Sequence, residues 1–276
     1  MASYTDSHAH LAAAEFEPDR AAVVARAQEA GVVRILTIAN GTTLPEFERA
    51  LALTDGEANL WVAVGVHPHD ARHAQPSLLA NLKKVARRPG VLAWGEIGLD
   101  YHYDHSPRET QRTVFREQLC LAGELELPVV IHCRDAWEDC LETLDLVWAA
   151  TGRGGILHCF SGTLADARQA TGWNFLISCA GNLTFPRADN LRAVAEAMPL
   201  QSLLIETDCP FLAPQTYRGQ RNEPAYVCEV AAERGRLKKS TSEEVGQITN
   251  ENFLRLFPRA RRARPGQKGC NGQDTA

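Results

Sequence analysis

The sequence has no CxxC pair, no apolar run near the ~20 residues of a membrane helix, and no basic flank followed by an apolar segment at its start. These absences argue against a membrane partner, a secretory signal and a disulfide framework. We therefore expect a soluble, cytoplasmic protein whose eight scattered cysteines are reduced thiols.

Charge is distributed unevenly along the 276 residues. The net charge is −5, but residues 259–276 carry five basic side chains against Asp274, which leaves about −9 on the rest of the chain. An acidic body is a poor non-specific binder of long nucleic acid, because duplex affinity comes from neutralising many phosphates. Any phosphate substrate must therefore be bound at one local site.

Short apolar runs alternate with amphipathic helical stretches along the chain. Continuous apolar strands are typical of a parallel sheet that is covered on both faces. The predicted strands are 4–8, 32–39, 60–66, 91–96, 129–132, 155–158, 175–179 and 202–206. This pattern predicts an α/β fold, a closed (β/α)8 TIM barrel of the metal-dependent hydrolase type over residues 1–258, followed by a disordered basic tail over 259–276. The alternative is an open doubly wound sheet. Such a sheet normally has a Gly-rich turn after its first strand, whereas this chain has His-Ala-His there.

All nine histidines end or closely follow predicted strands, at the face where barrel enzymes build their sites. They are His8, His10, His67, His69, His73, His102, His105, His132 and His158. Two carboxylates, Glu96 and Asp208, fall at the same end of the barrel. Four imidazoles and two carboxylates are too many ligands for one ion with an open position, so we expect two divalent ions. We assign His8, His10 and Asp208 to one ion, His132 and His158 to the other, and Glu96 as the bridge.

Seven co-linear motifs over residues 4–257 resemble the TatD family of metal-dependent deoxyribonucleases. They are HAH, GVHPH, GEIGLDY, HCRDA, HCFSG, ETDCPFLAP and RNEP. The resemblance implies a barrel of the metal-dependent hydrolase type and the same six ligands, His8, His10, Glu96, His132, His158 and Asp208. Cys133 stands where the family more commonly has Ser, and the basic tail lies outside the resemblance. Residue types leave the metal open among Zn, Mn and Mg.

Further residues receive roles around this expected centre. Two ions would hold a bridging hydroxide, and Asp208 would take its proton. Arg134 has the forked donors that a phosphate needs, and His67 would donate to a phosphate oxygen or the leaving group, its alternative being a turn histidine before Pro68. Arg221 is a weaker candidate for substrate binding. Two more carboxylates have minor expected roles, Glu206 steadying a ligand and Asp100 lining the mouth.

A thiolate site is conceivable because Cys133, Cys159 and Cys209 each directly follow an expected ligand. Strand alternation places neighbours of inward residues on the outward face, which favours a structural role for these cysteines.

The function expected from the resemblance is a metal-dependent phosphodiesterase that acts on DNA. The charge argument favours an exonuclease on single-stranded or frayed DNA ends, with RNA ends also conceivable. We further expect 3'-5' polarity and a monomer, although neither follows from the charge. The same metals would activate water against an amide, ester or lactone, including an aminoacyl ester on RNA, so a hydrolase of that class is the alternative. A non-catalytic binding protein that retains the metal site is the third interpretation.

Overall fold

The structure, a computed structural model, describes residues 3–261, which contain eight strands in one parallel sheet whose spatial order is the chain order. The strands are β1 (Tyr4–Ala9), β2 (Val32–Asn40), β3 (Leu60–Gly65), β4 (Val91–Asp100), β5 (Val129–Arg134), β6 (Gly155–Leu157), β7 (Phe175–Cys179) and β8 (Leu203–Ile205). A helix follows each strand, and a second helix follows β8. The predicted (β/α)8 barrel is confirmed.

Nine α-helices of residues 3–261 surround the sheet. They are α1 (Arg20–Glu29), α2 (Leu44–Ala52), α3 (Pro76–Val85), α4 (Arg108–Glu124), α5 (Trp137–Val147), α6 (Leu164–Gly172), α7 (Asp189–Ala197), α8 (Val227–Lys238) and α9 (Ser242–Leu256). Capping boxes begin three of them, at Thr43, Thr163 and Thr241. In each box the threonine hydroxyl and the acidic side chain three residues later bond reciprocally to backbone N–H groups, which fixes where the helix starts.

The interior of the barrel is filled rather than open. Its apolar side chains come from several strands, for example Ile38, Ala63 and Val130. Phe253 on α9 and Phe257 just after it pack against them. A separate apolar layer lies between the strands and the outer helices. Because both faces of the sheet are buried, the polar side chains collect at the carboxyl ends of the strands.

The barrel closes where β1 meets the segment after β8. The backbone N–H of Asp208 donates to the carbonyl of His8 at 2.9 Å, and that of His10 donates to Cys209 at 2.8 Å. Just below, the Asp6 carboxylate accepts hydrogen bonds from both the backbone N–H and the hydroxyl of Thr207, at 2.9 and 2.6 Å. The contact that completes the ring therefore holds three of the expected ligands, His8, His10 and Asp208, side by side.

Strand β4 is four residues longer than predicted and is irregular at the point where Glu96 sits. The register with β5 shifts between Gly95 and Ile97, so that the strand carries one extra residue there. Ile97 and Leu99 pack in the outer layer, and alternation then directs Glu96 and Asp100 to the inner side. Between these two lies Gly98, whose φ is +141°. A Cβ there would lie 2.0 Å from the His132 carbonyl, so only glycine fits this close strand contact.

The expected domain boundary at residue 258 falls at the start of a 3₁₀ turn, Pro258–Arg261, in which Ala260 is buried. The rest of the predicted basic tail, residues 262–276, lies outside the described residues, and the tail remains a prediction. No helix within 3–261 is long and apolar enough to cross a bilayer.

Candidate metal centre

Glu96 lies in the middle of the side chains that collect at the mouth of the barrel. Its carboxylate is almost fully buried, at 2% exposure. Oε1 lies 3.0 Å from His132 Nδ1 and 2.9 Å from His158 Nε2, whereas Oε2 lies 3.4 Å from His8 Nε2. The two carboxylate oxygens therefore face two different sets of histidines.

The set on the Oε2 side contains His8, His10 and Asp208. The Nε2 atoms of His8 and His10 are 3.2 Å apart, and Asp208 Oδ1 lies 3.2 Å from His10 Nε2 and 3.6 Å from His8 Nε2. The His8 ring also stacks on His158, with ring centroids 3.8 Å apart. Three ligand atoms, from the end of β1 and the segments that follow β1 and β8, thus converge on one point beside Glu96.

The set on the Oε1 side contains His132, and its ring is oriented by Asp100. His132 Nε2 donates to Asp100 Oδ2 at 3.0 Å, and His69 Nε2 meets the same oxygen at 2.9 Å. The other oxygen of Asp100 accepts from the backbone N–H groups of His102 and Tyr103. A carboxylate behind a histidine fixes which ring nitrogen carries the proton. Asp100, expected only to line the mouth, is therefore a positioning residue for His132.

His158 is held in a similar way by Glu206. The two side chains meet at 3.3 Å between Nδ1 and Oε1, and the same oxygen accepts from the Cys159 backbone N–H at 2.6 Å. The Ser7 hydroxyl approaches the second oxygen at 3.4 Å. Glu206 thus makes the contact expected of a residue that steadies a ligand.

Asn40 is a site residue that the sequence interpretation missed. It is the last residue of β2, and its Nδ2 donates to Glu96 Oε2 at 3.1 Å. The same criterion that selected the other candidates, a polar residue at the carboxyl end of a strand, would have found it had strand 2 not been ended at Ala39.

The hydrogen-bond partners of His132 fit a cation at the centre. Because His132 Nε2 donates to Asp100, the neutral ring has a lone pair on Nδ1, and this lone pair points at Glu96 Oε1 from 3.0 Å. Two lone pairs at that distance require a second ring proton or a metal ion between them. Burial alone would raise the pKa of Glu96, but the histidines around it, His158 first, hold that pKa well below its ordinary value.

Three overlapping groups within residues 3–261 bring donor atoms within 4.8 Å of one another. They are His8, His10 and Glu96; His67, Glu96 and His132; and His8, His158 and Glu206. Together they include five of the six expected ligands, and the contacts above add Asp208. His67, which was expected to act on the substrate, belongs to one of these groups.

His67 begins a 3₁₀ turn and points into the centre. Its Nδ1 accepts from the backbone N–H of His69 at 3.2 Å, and its Nε2 lies 3.6 Å from Glu96 Oε1. Burial lowers the pKa of His67 to about 4, so the ring is neutral at pH 7. With Nδ1 accepting, the ring proton lies on Nε2, which is the donor that faces the site. His67 is therefore both a turn histidine and a potential hydrogen-bond donor.

The two arginines expected at the substrate differ in their surroundings. Arg134 ends β5, is exposed, and its guanidinium lies over the Tyr103 ring at 4.9 Å from the centroid. Arg221 makes a two-pronged ion pair with Asp19, with both distances 2.8 Å, and also donates to the Glu15 carbonyl. Arg134 is available at the rim, whereas Asp19 competes with any phosphate for Arg221.

The cysteines next to the ligands do not join these groups in the described part of the chain. Cys133 packs in the outer apolar layer, on the face opposite His132. Burial raises the pKa of the Cys133, Cys159 and Cys209 thiols well above the ordinary value. Cys133 and Cys209 are buried and Cys159 is partly exposed, and neutral thiols agree with the expected structural role.

A (β/α)8 barrel that collects histidines and carboxylates at the carboxyl ends of its strands is the architecture of metal-dependent hydrolases. The family model described as TatD related DNase matches residues 5–258, and the chain belongs to this family of metal-dependent hydrolases.

Relatives of this chain include proteins with and without a named activity. It is 43% identical over 252 residues to the uncharacterized metal-dependent hydrolase YabD of Bacillus subtilis, covering 91% of this chain and 98% of that protein. It is 34% identical over 257 residues to the 3'-5' ssDNA/RNA exonuclease TatD of Klebsiella pneumoniae, covering 91% and 97%. The crystal structure of YJJV, a TatD homologue from Escherichia coli K12, matches with a TM-score of 0.86 and 33% identity over 92% of this chain and 98% of that one.

Proposed function

We propose that this chain is a phosphodiesterase that removes nucleotides from single-stranded or frayed nucleic-acid ends with the help of two divalent ions. The observation that carries the proposal is the position of Glu96, whose two oxygens face separate sets of histidines. A shared carboxylate of this kind lets each of two ions keep three or four protein ligands and an open position.

We assign six residues as ligands, in the two sets that the sequence suggested. His8, His10 and Asp208 would hold one ion, His132 and His158 the other, and Glu96 both. When bound, two such ions supply Lewis-acid polarisation of a phosphodiester and a water activated at neutral pH. The types of side chain admit Zn, Mn or Mg.

The remaining chemistry falls to the chain's own side chains. Asp208 Oδ1 faces the histidines, and we assign its Oδ2 to accept the proton of the attacking water. His67 carries its proton on Nε2 and would donate it as a hydrogen bond to a phosphate oxygen or to the leaving oxygen. Arg134 would bind the phosphate with two parallel N–H groups. Asp100 and Glu206 would keep the rings of His132 and His158 in the ligating orientation.

The choice of a strand end as substrate follows from charge and is supported by relatives. A body near −9 repels a long duplex backbone, whereas one phosphodiester at a strand end can enter the mouth alone. The name of the Klebsiella pneumoniae relative, a 3'-5' ssDNA/RNA exonuclease, agrees with a strand end as substrate and with the expected 3'-5' polarity. We extend the proposal to a monomeric, cytoplasmic enzyme.

Hydrolysis of bis(p-nitrophenyl) phosphate, measured beside a panel of p-nitrophenyl carboxylic esters with Zn, Mn or Mg restored, tests the reaction class. We expect cleavage of the phosphodiester and slow or absent cleavage of the esters. Product mapping on 3'- and 5'-labelled single strands then tests the polarity. Faster cleavage of the carboxylic or aminoacyl esters would overturn the proposal in favour of a carbonyl hydrolase, and no hydrolysis with two ions bound would favour a binding protein.

A further inference from the structure

Two aromatic rings stand exposed at the mouth of the barrel. Four large hydrophobic side chains of residues 3–261 are exposed, and they are Val33, Tyr103, Leu146 and Phe211. The two aromatic side chains among these four both contact histidines near the candidate metal centre. Phe211 is 56% exposed and lies 5.8 Å from the His10 ring, and Tyr103 is 51% exposed and lies 5.5 Å from the His69 ring.

Both rings are carried by backbone that is fixed to the site. Tyr103 lies three residues after Asp100 and donates its N–H to the Asp100 carboxylate at 2.9 Å. Phe211 lies three residues after Asp208 and donates its N–H to the Asp208 carbonyl at 3.0 Å. The buried Asn222 side chain also donates to the Phe211 carbonyl at 2.6 Å. The rings are thus held in place while their side chains remain in water.

The two rings lie on opposite sides of the mouth. Tyr103 follows β4 and Phe211 follows β8, and in a ring of eight strands in chain order these are four positions apart, the largest possible separation. Glu96 and the histidines lie between them. A chain that crosses the mouth with one bond at the centre has one ring on each side of that bond.

The surroundings of Tyr103 suit a nucleotide. His105 is parallel to the Tyr103 ring, with centroids 5.5 Å apart, and the Arg134 guanidinium lies over it. Bases stack on aromatic rings and on guanidinium planes, and a phosphate pairs with the same guanidinium. An acidic body offers few phosphate contacts, so stacking must supply much of the affinity for a strand.

We infer that Phe211 on one side, and on the other Tyr103 with His105 and Arg134, bind the two bases that flank the scissile phosphate. This inference rests on the proposed phosphodiesterase function and names its substrate as an unpaired strand with a base on each side of the bond. Ring stacking does not distinguish among bases, because each base offers a π-face. The enzyme then selects unpaired nucleotides with little sequence preference.

The test is the first cleavage of three short single strands that differ only at the cleaved end. One is intact, one lacks its terminal base and one lacks its penultimate base. Rates are measured for the metal-loaded wild type, F211L and Y103L, with F211W and Y103F retaining a ring. L146A, on α5, changes an exposed apolar side chain outside the site and is the control that should match the wild type.

We expect F211L and Y103L each to slow cleavage of the intact strand about 10-fold. In each leucine variant the cleavage rate should also become insensitive to the loss of one base, and the base should differ between the two variants. F211W and Y103F should stay within about 3-fold of the wild type. Anisotropy with a phosphorothioate-protected oligothymidylate should show a matching loss of affinity in the two leucine variants.

The inference would be overturned if both leucine variants were slowed by each missing base as much as the wild type is. It would also be overturned if both variants cleaved the intact strand at the wild-type rate. If the wild type still cleaves the strands and bis(p-nitrophenyl) phosphate, the proposed function survives that failure. If the wild type cleaves only carboxylic esters and the leucine variants are slower, the rings bind an acyl group, and both proposals fail.

Discussion

The Asp100 carboxylate accepts four hydrogen bonds, and replacement of Asp100 by Asn tests whether it sets the proton position of His132. Two of the donors are the Nε2 groups of His132 and His69, and two are backbone N–H groups. The Asn side chain in D100N has the same size as Asp, but its NH2 group must face either the two histidine donors or the two backbone N–H donors. If it faces His132, that ring must accept on Nε2 and place its proton on Nδ1, which points at Glu96 where an ion is expected.

The magnitude follows from this change of tautomer. Loss of a carboxylate behind a metal-ligating histidine typically costs about 10- to 100-fold in metal affinity or activity, or ~1.4 to 2.8 kcal/mol. The lost charge-assisted hydrogen bonds should also lower the free energy of unfolding by about 1 to 3 kcal/mol. The barrel should therefore remain folded while its metal affinity falls.

Chelator competition gives the metal affinity, and steady-state hydrolysis with and without excess metal gives the rate. We expect D100N to lose affinity and to regain much of its rate in excess metal. D104N is the matched control, because Asp104 is four residues away and pairs with the exposed Arg108. Wild-type affinity and rate in D100N would refute the positioning role, and failure of excess metal to restore any activity would argue that Asp100 acts directly in the reaction.

Three further predictions concern the proposed ligand bridge, the phosphate contact and the strand end. E96A should bring activity below detection in a folded barrel, and retention of more than a few per cent of activity with two ions per chain would contradict the bridge. R134K should cost on the order of 1 to 3 kcal/mol in transition-state stabilisation, measured as kcat/KM on a single strand with R153K as control, and an unchanged value would place Arg134 outside the site. A linear single strand should be cut and a closed circular single strand should not. The rate on the linear strand should depend only weakly on salt, and deletion of residues 262–276 should leave this dependence unchanged. Cutting of the circle, or a steep salt dependence that the deletion abolishes, would refute entry by a strand end.

The barrel could be predicted because its signal is local. Each buried strand is a short apolar run, and the residues that matter chemically follow those runs at one end. Strand-end positions accordingly predict that His8, Glu96 and His158 are neighbours, and these side chains do meet in the structure. The same reasoning also placed the neighbour Cys133 in the outer layer.

The contacts missed by sequence reasoning depend on irregular backbone and on pairing across strands. The apolar run predicts a strand that ends at Glu96, whereas β4 continues to Asp100. The register shift that adds a residue at Glu96 has no sequence signature. The shorter predicted strand leaves Asp100 beyond its end, so the hydrogen bond between Asp100 and His132 on β5 does not follow from the sequence. The ion pair between Arg221 and Asp19 joins residues 202 positions apart, a contact that one sequence does not specify.

The central claim is that Glu96 would serve as a ligand to two divalent ions and that both ions would be needed for hydrolysis of a phosphodiester. Titration of metal-depleted protein with Mn²⁺, followed by electron paramagnetic resonance and bis(p-nitrophenyl) phosphate hydrolysis in the same samples, tests it most directly. We predict two ions per chain, magnetic coupling between them, and hydrolysis that rises with the second ion. Full hydrolysis with a single ion per chain, or two uncoupled ions, would contradict the claim.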